Sequence, residues 1–284
     1  MPLSPGHLDW MDHVKTKASE ACIELDICVL EYCMFFHLRP STRDLPSQSA
    51  LAPDNPYPKQ MTQAILAFKH LLACEYSPSN VCTYFCQNHG PEANQAQIIF
   101  GGDSAGGHLS LSLLSHLYRP RPAEEKTGDL KINLSDPVKG CFLVSPLTSF
   151  QLTTRSYAEK FSVHVLSRAI VSKCGEYLVH QSPWNQEISQ GNGWGMALDV
   201  PEKWWEGMNV VDWILVTAGQ EEAFRDHVLQ LVDVFRRSSR AEKLEWLVSV
   251  DEAHDEPLMD FWEKRQLLSA TTVRVTEWVI QCFS

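Results

Sequence analysis

Ser104 stands between Gly102 and Gly106 in the run Gln97-Ile98-Ile99-Phe100-Gly101-Gly102-Asp103-Ser104-Ala105-Gly106-Gly107. That spacing is the G-x-S-x-G pattern of a nucleophile elbow: a short buried strand, a turn too sharp for side chains at the flanking positions, and a helix. Apolar residues lead into it without interruption, and Leu109, Leu111, Leu113, Leu114 and Leu117 come after it, so the strand and the helix that the motif needs are both present. The elbow would hold the Ser104 hydroxyl at the amino end of that helix, where unpaired N–H groups favour developing negative charge. Ala105 carries one of those groups and is the expected oxyanion donor.

A serine hydroxyl is a poor nucleophile at neutral pH and needs an imidazole to take its proton and a carboxylate to orient that imidazole. Both partners are available after later apolar runs. Beyond residues 213–217 comes Ala218-Gly219-Gln220-Glu221-Glu222-Ala223-Phe224-Arg225-Asp226, with Glu221 and Glu222 as candidate acids. Beyond residues 244–250 comes Asp251-Glu252-Ala253-His254-Asp255-Glu256-Pro257. Of the eleven histidines only His254 follows a late strand, so it is the expected base; His70, His89, His108, His116 and His180 fall on helices or in loops and read as packing or surface residues.

Strands are expected at 23–30, 97–100, 138–144, 213–217 and 244–250, and helices at 8–19, 59–72, from Ala105 onward, 223–237 and 269–282. In the first helix Leu8, Met11, Val14 and Lys15 fall near one face. Alternating helices and continuously apolar strands mean a mostly parallel sheet with helices on both faces, the α/β class, in one domain over 1–284. Residues 147–209 are too long for a simple crossover and read as a partial lid or cap insertion. Its Trp184, Trp194, Trp204 and Trp205 either line an acyl or aryl pocket or cover the sheet.

Composition limits the partners. A net charge of −11 argues against a nucleic acid or an anionic membrane surface. No apolar stretch is long enough to span a bilayer, and the first twenty residues lack the basic leader and apolar core of a signal peptide, so a cytoplasmic location is expected. The nine cysteines are scattered and odd in number, which suits reduced thiols rather than a disulfide framework. Cys82, Cys86 and His89 approach metal-ligand spacing, but a polar loop with no fourth partner makes a weak site and no metal is expected.

The chain resembles the hormone-sensitive-lipase-like group of α/β-hydrolases, the α/β-hydrolase fold-3 esterases, particularly the esterase-like proteins of fungi. The matching pieces are Gly102-Asp103-Ser104-Ala105-Gly106-Gly107, Leu51-Ala52-Pro53-Asp54-Asn55-Pro56-Tyr57-Pro58, Val216-Thr217-Ala218-Gly219 through Phe224-Arg225-Asp226, and His254-Asp255-Glu256-Pro257. In that family the acid stands three residues before the Arg-Asp pair, which selects Glu222 over Glu221, although members often carry Asp there. The resemblance implies hydrolysis of small-molecule carboxylic esters through an acyl-serine intermediate, with no metal or organic cofactor.

Two departures accompany the resemblance. The His-Gly-Gly-Gly loop that supplies oxyanion donors in relatives is not found, and Met1 to Trp10 resembles the segment on the carboxyl side of that loop in relatives. The first strands are therefore expected to be missing and activity to be impaired. Glu31-Tyr32 is also separated from Leu51-Ala52-Pro53 by residues 33–50, a non-family insertion. Codons for Cys33-Met34-Phe35 can contain a splice-donor sequence and those for Ser49-Ala50 an acceptor CAG, so 33–50 reads as a retained intron, with an ordinary loop insertion as the alternative. The functional alternatives are a non-catalytic hydrolase-fold protein that binds small apolar ligands and a cyclase or acyl-transfer enzyme of secondary metabolism.

Overall fold

The computed structural model describes residues 4–29, 55–73, 84–88, 97–122, 130–159, 161, 166–239 and 241–284. The insertion read at 33–50 lies outside them, as do Cys82 and His89. Among the described residues six strands form one sheet in the order β1 (Leu25–Cys28), β2 (Tyr84–Asn88), β3 (Gln97–Asp103), β4 (Val138–Val144), β5 (Val211–Gly219) and β6 (Lys243–Ser249). From β3 to β6 neighbouring strands run parallel, whereas β1 and β2, and β2 and β3, pair antiparallel. Residues 82–89 read as a polar loop in the sequence, and β2 corrects that reading. Tyr84-Phe85 is β-prone sequence, and Phe85 pairs opposite Phe100 in the ladder.

The central strands β3, β4 and β5 are largely apolar on both faces, and helices cover both. Cys141 and Leu143 of β4, with Ile214 and Val216 of β5, pack in the cluster formed with α2 (Lys59–Ala73), α3 (Ala105–Tyr118) and α6 (Arg225–Ser238). Phe142, Val144 and Leu215 point the other way, into the cluster of α1 (Pro5–Glu20) and α8 (Ala270–Cys282). The period of two along each strand thus divides one sheet between two cores.

The first helix starts earlier than expected, and its buried face keeps the expected Met11 and Val14 but excludes Leu8 and Lys15. His7, Trp10, Met11, Val14 and Ala18 are buried, whereas Leu8 is 49% exposed. These positions keep the helical period, and Trp10, which is wholly buried, sets the phase that Leu8 suggested wrongly.

Between β4 and β5 lie α4 (Arg168–Val179) and α5 (Trp184–Ser189). All four tryptophans of this stretch are buried. The Trp204 indole N–H donates to Ser115 Oγ at 2.9 Å, Trp194 and Trp204 meet edge to face at 5.3 Å, and Trp205 stacks edge-on to Phe235 at 5.1 Å. Through these contacts Trp194, Trp204 and Trp205 pack against α3 and α6. Arg121 fastens the stretch from below by donating to Glu187 Oε1 at 2.7 and 2.9 Å, while the Tyr57 hydroxyl donates to Glu187 Oε2 at 2.6 Å. No helix among the described residues is long and apolar enough to cross a membrane.

Candidate active site

Ser104 lies where β3 turns into α3. Its backbone sits at φ 51°, ψ −110°, a region that residues other than glycine rarely enter. Three hydrogen bonds hold it there: Ser104 N–H donates to Val144 O at 2.8 Å, and Ser104 O accepts from His108 N–H and Leu147 N–H, each at 3.1 Å. A Cβ on Gly102 would lie 2.5 Å from the Gly106 carbonyl carbon, so the turn closes only with glycine at 102. Ala105 is the first residue of α3, and its N–H is among the donors that a helix leaves unpaired at its start.

The acid and the base come from neighbouring loops that the backbone ties together. After β5, Gln220 N–H donates to Ser249 O at 2.8 Å and Glu221 N–H to Glu252 O at 2.9 Å. A side chain at Gly219 would run into the Glu252 and Ala253 carbonyls, so the close approach of the two loops also depends on a glycine. As a result Glu222 Oε2 lies 3.1 Å from His254 Nδ1, and His254 Nε2 lies 2.8 Å from Ser104 Oγ. Glu222 and His254 are buried, and the Phe224 ring stands edge-on to the imidazole at 4.9 Å. Of the two carboxylates the spacing allowed, Glu222 is the one that meets the imidazole.

Two further carboxylates approach from other elements. Asp255 Oδ2 lies 3.2 Å from His254 Nε2, the nitrogen that faces Ser104. Asp103, at the end of β3, has its Oδ2 3.4 Å from His7 Nε2 on α1. Ser4 N–H donates to His7 Nδ1 at 3.1 Å, which fixes the ring with Nε2 toward Asp103. Burial pushes the Asp103 carboxyl up, but the hydrogen bond and charge of His7 outweigh it and hold the group below its ordinary value. For His254, burial alone lowers the pKa; the Asp255 charge, the hydrogen bond and charge of Glu222 and the charge of Asp103 outweigh burial and lift it to about 9. Burial pushes Asp255 up to about 7 against the pull of His254.

Chemically, this is a hydroxyl, an imidazole and a carboxylate in series, at distances over which a proton passes from oxygen to nitrogen. Two other buried histidines are occupied elsewhere. His108 Nε2 lies 2.7 Å from Gly195 O, and His116 Nε2 lies 3.0 Å from Leu130 O. Among the described residues no group of three or more His, Cys, Asp or Glu side chains is placed to hold a metal ion. Asp255, Asp103 and His7 were not singled out from sequence. Asp103 and Asp255 each directly adjoin a residue that was, and only the fold shows that Asp255 turns toward the His254 imidazole and Asp103 toward that of His7.

The profile of the α/β hydrolase fold family matches residues 49–254. The chain belongs to the α/β hydrolase fold family. No curated protein matches it. Among solved members of the fold, an esterase/lipase from an uncultured bacterium superposes with a TM-score of 0.52 at 16% identity, over 82% of this chain and 63% of its own. Carboxyl esterase 2 from the mycorrhizal fungus Tuber melanosporum gives 0.55 at 14%, over 82% and 66%. A thermostable esterase from Pseudomonas putida gives 0.52 at 16%, over 81% and 59%. At these identities the likeness is one of fold, and this hydrolase-fold chain spans about three-fifths of the length of those structures.

Proposed function

We propose that the protein is a serine esterase that hydrolyses small carboxylic esters. Ser104 Oγ attacks the acyl carbon, His254 Nε2 takes the hydroxyl proton and returns it to the leaving alcohol, and the alcohol departs to leave an acyl-serine. Water then attacks the acyl carbon with His254 again as base, releasing the acid and restoring Ser104. Glu222 fixes the imidazole through Nδ1, and Ala105 N–H receives the oxyanion. The observation that carries this reading is the unbroken series Glu222 Oε2, His254 Nδ1, His254 Nε2, Ser104 Oγ at 3.1 and 2.8 Å. A fold shared with solved esterases supports it.

The rate depends on the oxyanion donors. Losing one donor typically costs about 10²–10³ in turnover, so a site that works with Ala105 N–H alone is a slow esterase. The test is turnover of p-nitrophenyl acetate by the purified chain. Release of p-nitrophenol that disappears in Ser104→Ala is expected. Release that is the same in that variant refutes the esterase reading, and its absence in folded wild-type protein favours a non-catalytic binder of small apolar ligands.

A further inference from the structure

One imidazole nitrogen faces two claimants. Ser104 Oγ lies 2.8 Å from His254 Nε2 and Asp255 Oδ2 lies 3.2 Å from it, while Nδ1 is engaged by Glu222. Nε2 carries either a lone pair or a proton. With a lone pair it accepts from the Ser104 hydroxyl, but it then sets that pair against an ionised Asp255 oxygen. With a proton it satisfies Asp255 Oδ2, and the serine proton has no base to go to.

Asp255 is poorly able to withdraw. Its backbone is left-handed, at φ 57°, ψ 41°, and its carbonyl accepts from Leu258 N–H at 3.0 Å and Met259 N–H at 3.3 Å, which pins it at the start of α7 (Glu256–Trp262). The carboxylate is 4% exposed, and its other oxygen, Oδ1, is buried with no hydrogen-bond partner among the described residues. A buried ionised oxygen in that position is costly unless a positive charge stands beside it. Glu256 is turned aside, accepting from Ala253 N–H at 3.0 Å and from Arg265.

We propose that Asp255 is a latch on the catalytic base, holding a proton on His254 Nε2 in the resting site so that Ser104 becomes nucleophilic only when that proton leaves or Asp255 is neutralised. This rests on the serine-esterase reading for its functional meaning. The charged groups that face the imidazole are Glu222 from the β5–α6 loop, Asp255 from the β6–α7 loop and Asp103 from the end of β3, the last tied to His7 of α1. Tyr157, before α4, interacts with Glu222, and the Phe224 ring adds no charge. Three acidic groups thus surround one base, and removing the nearest to Nε2 should release it.

The experiment follows the imidazole and the nucleophile separately. In full-length protein carrying ¹⁵N-histidine, the His254 ring nitrogens are titrated by NMR, with assignment from His254→Gln, for wild type and Asp255→Asn. The second readout is the rate at which an organophosphonate labels Ser104 between pH 6 and 10. Expected are a wild-type Nε2 protonated at pH 7, a midpoint at least one pH unit lower in Asp255→Asn, and labelling at pH 7 about tenfold faster for each unit of that fall. The two proteins should label at similar rates near pH 10.

A wild-type imidazole that is neutral at pH 7 overturns the proposal, as does an unmoved midpoint or slower labelling at pH 7 in Asp255→Asn. Should that variant not fold, Asp255→Gly, which suits the left-handed backbone, replaces it, and the wild-type titration decides independently. A highly protonated imidazole with no labelling of Ser104 defeats the esterase reading alone. Labelling with a neutral imidazole at pH 7 defeats the latch alone.

Discussion

Replacing Glu222 by Gln keeps the size of the side chain at His254 Nδ1 and removes its charge. The carboxylate oxygen lies 3.1 Å from Nδ1 and the side chain is wholly buried, so the imidazolium formed as Ser104 gives up its proton is stabilised with little screening. With an effective dielectric constant of about 20, one unit charge facing another at that distance contributes about 5 kcal/mol, or nearly four powers of ten in rate. The amide can also turn its NH₂ toward Nδ1 and force the proton onto Nε2, the wrong tautomer, a defect that costs about 10⁴ in the serine triad. Asp255 and Asp103 retain part of the field, so the expected loss in kcat for p-nitrophenyl acetate is between about 10³ and 10⁴. KM should scarcely change, because Glu222 supports the imidazole and does not touch the substrate. Circular dichroism confirms that the variant is folded. A folded Glu222→Gln protein that keeps more than a tenth of wild-type kcat refutes the reasoning.

Other consequences are as direct. Gly102→Ala places a methyl against the Gly106 backbone, which cannot move as a side chain can; a loss of about 1–3 kcal/mol in stability by urea denaturation, with a larger proportional loss of activity, is expected. Trp205→Ala empties a fully buried site beside Phe235 and should cost about 3–5 kcal/mol, and a cost under 1 kcal/mol would mean that the tryptophan is not packed as described. Above about pH 6.5 stability should fall with rising pH. The folded pKa values of His254, about 9, and Asp255, about 7, both exceed their ordinary values of 6.5 and 3.8, so each group's favourable contribution is complete below its ordinary value and lost through its folded one. The urea midpoint should therefore drop between pH 6.5 and 9, and a His254→Gln variant that declines as steeply over that window would remove the link to the imidazole.

The parallel half of the sheet was legible because its strands are short, apolar and each succeeded by a chemically unusual loop. Gly102 and Gly106 bracketed the serine, and the ends of β5 and β6 supplied candidate acids and a base in the required chain order. Where sequence failed, the signal was weak or misleading. Tyr84–Asn88 is a five-residue strand, and its cysteine drew attention as a ligand rather than as part of a ladder. On α1 Met11 and Val14 are buried as expected, but Leu8 was misplaced because hydrophobicity alone ranks it with Trp10, while packing volume decides which side chain fills the core. Residues next to the motif were harder still. Nothing in Asp103-Ser104 or His254-Asp255 as text says that Asp103 meets the His7 imidazole and Asp255 that of His254; a strained turn on one side and a left-handed residue on the other put them there.

The central claim is that Ser104 is a nucleophile activated by His254, and peptide mass spectrometry after treatment with an organophosphonate tests it most directly. A single phosphonyl adduct on the peptide containing Ser104, lost in Ser104→Ala and strongly slowed in His254→Gln, is predicted. Folded wild-type protein that takes up no adduct, or an adduct that persists unchanged in Ser104→Ala, contradicts the account.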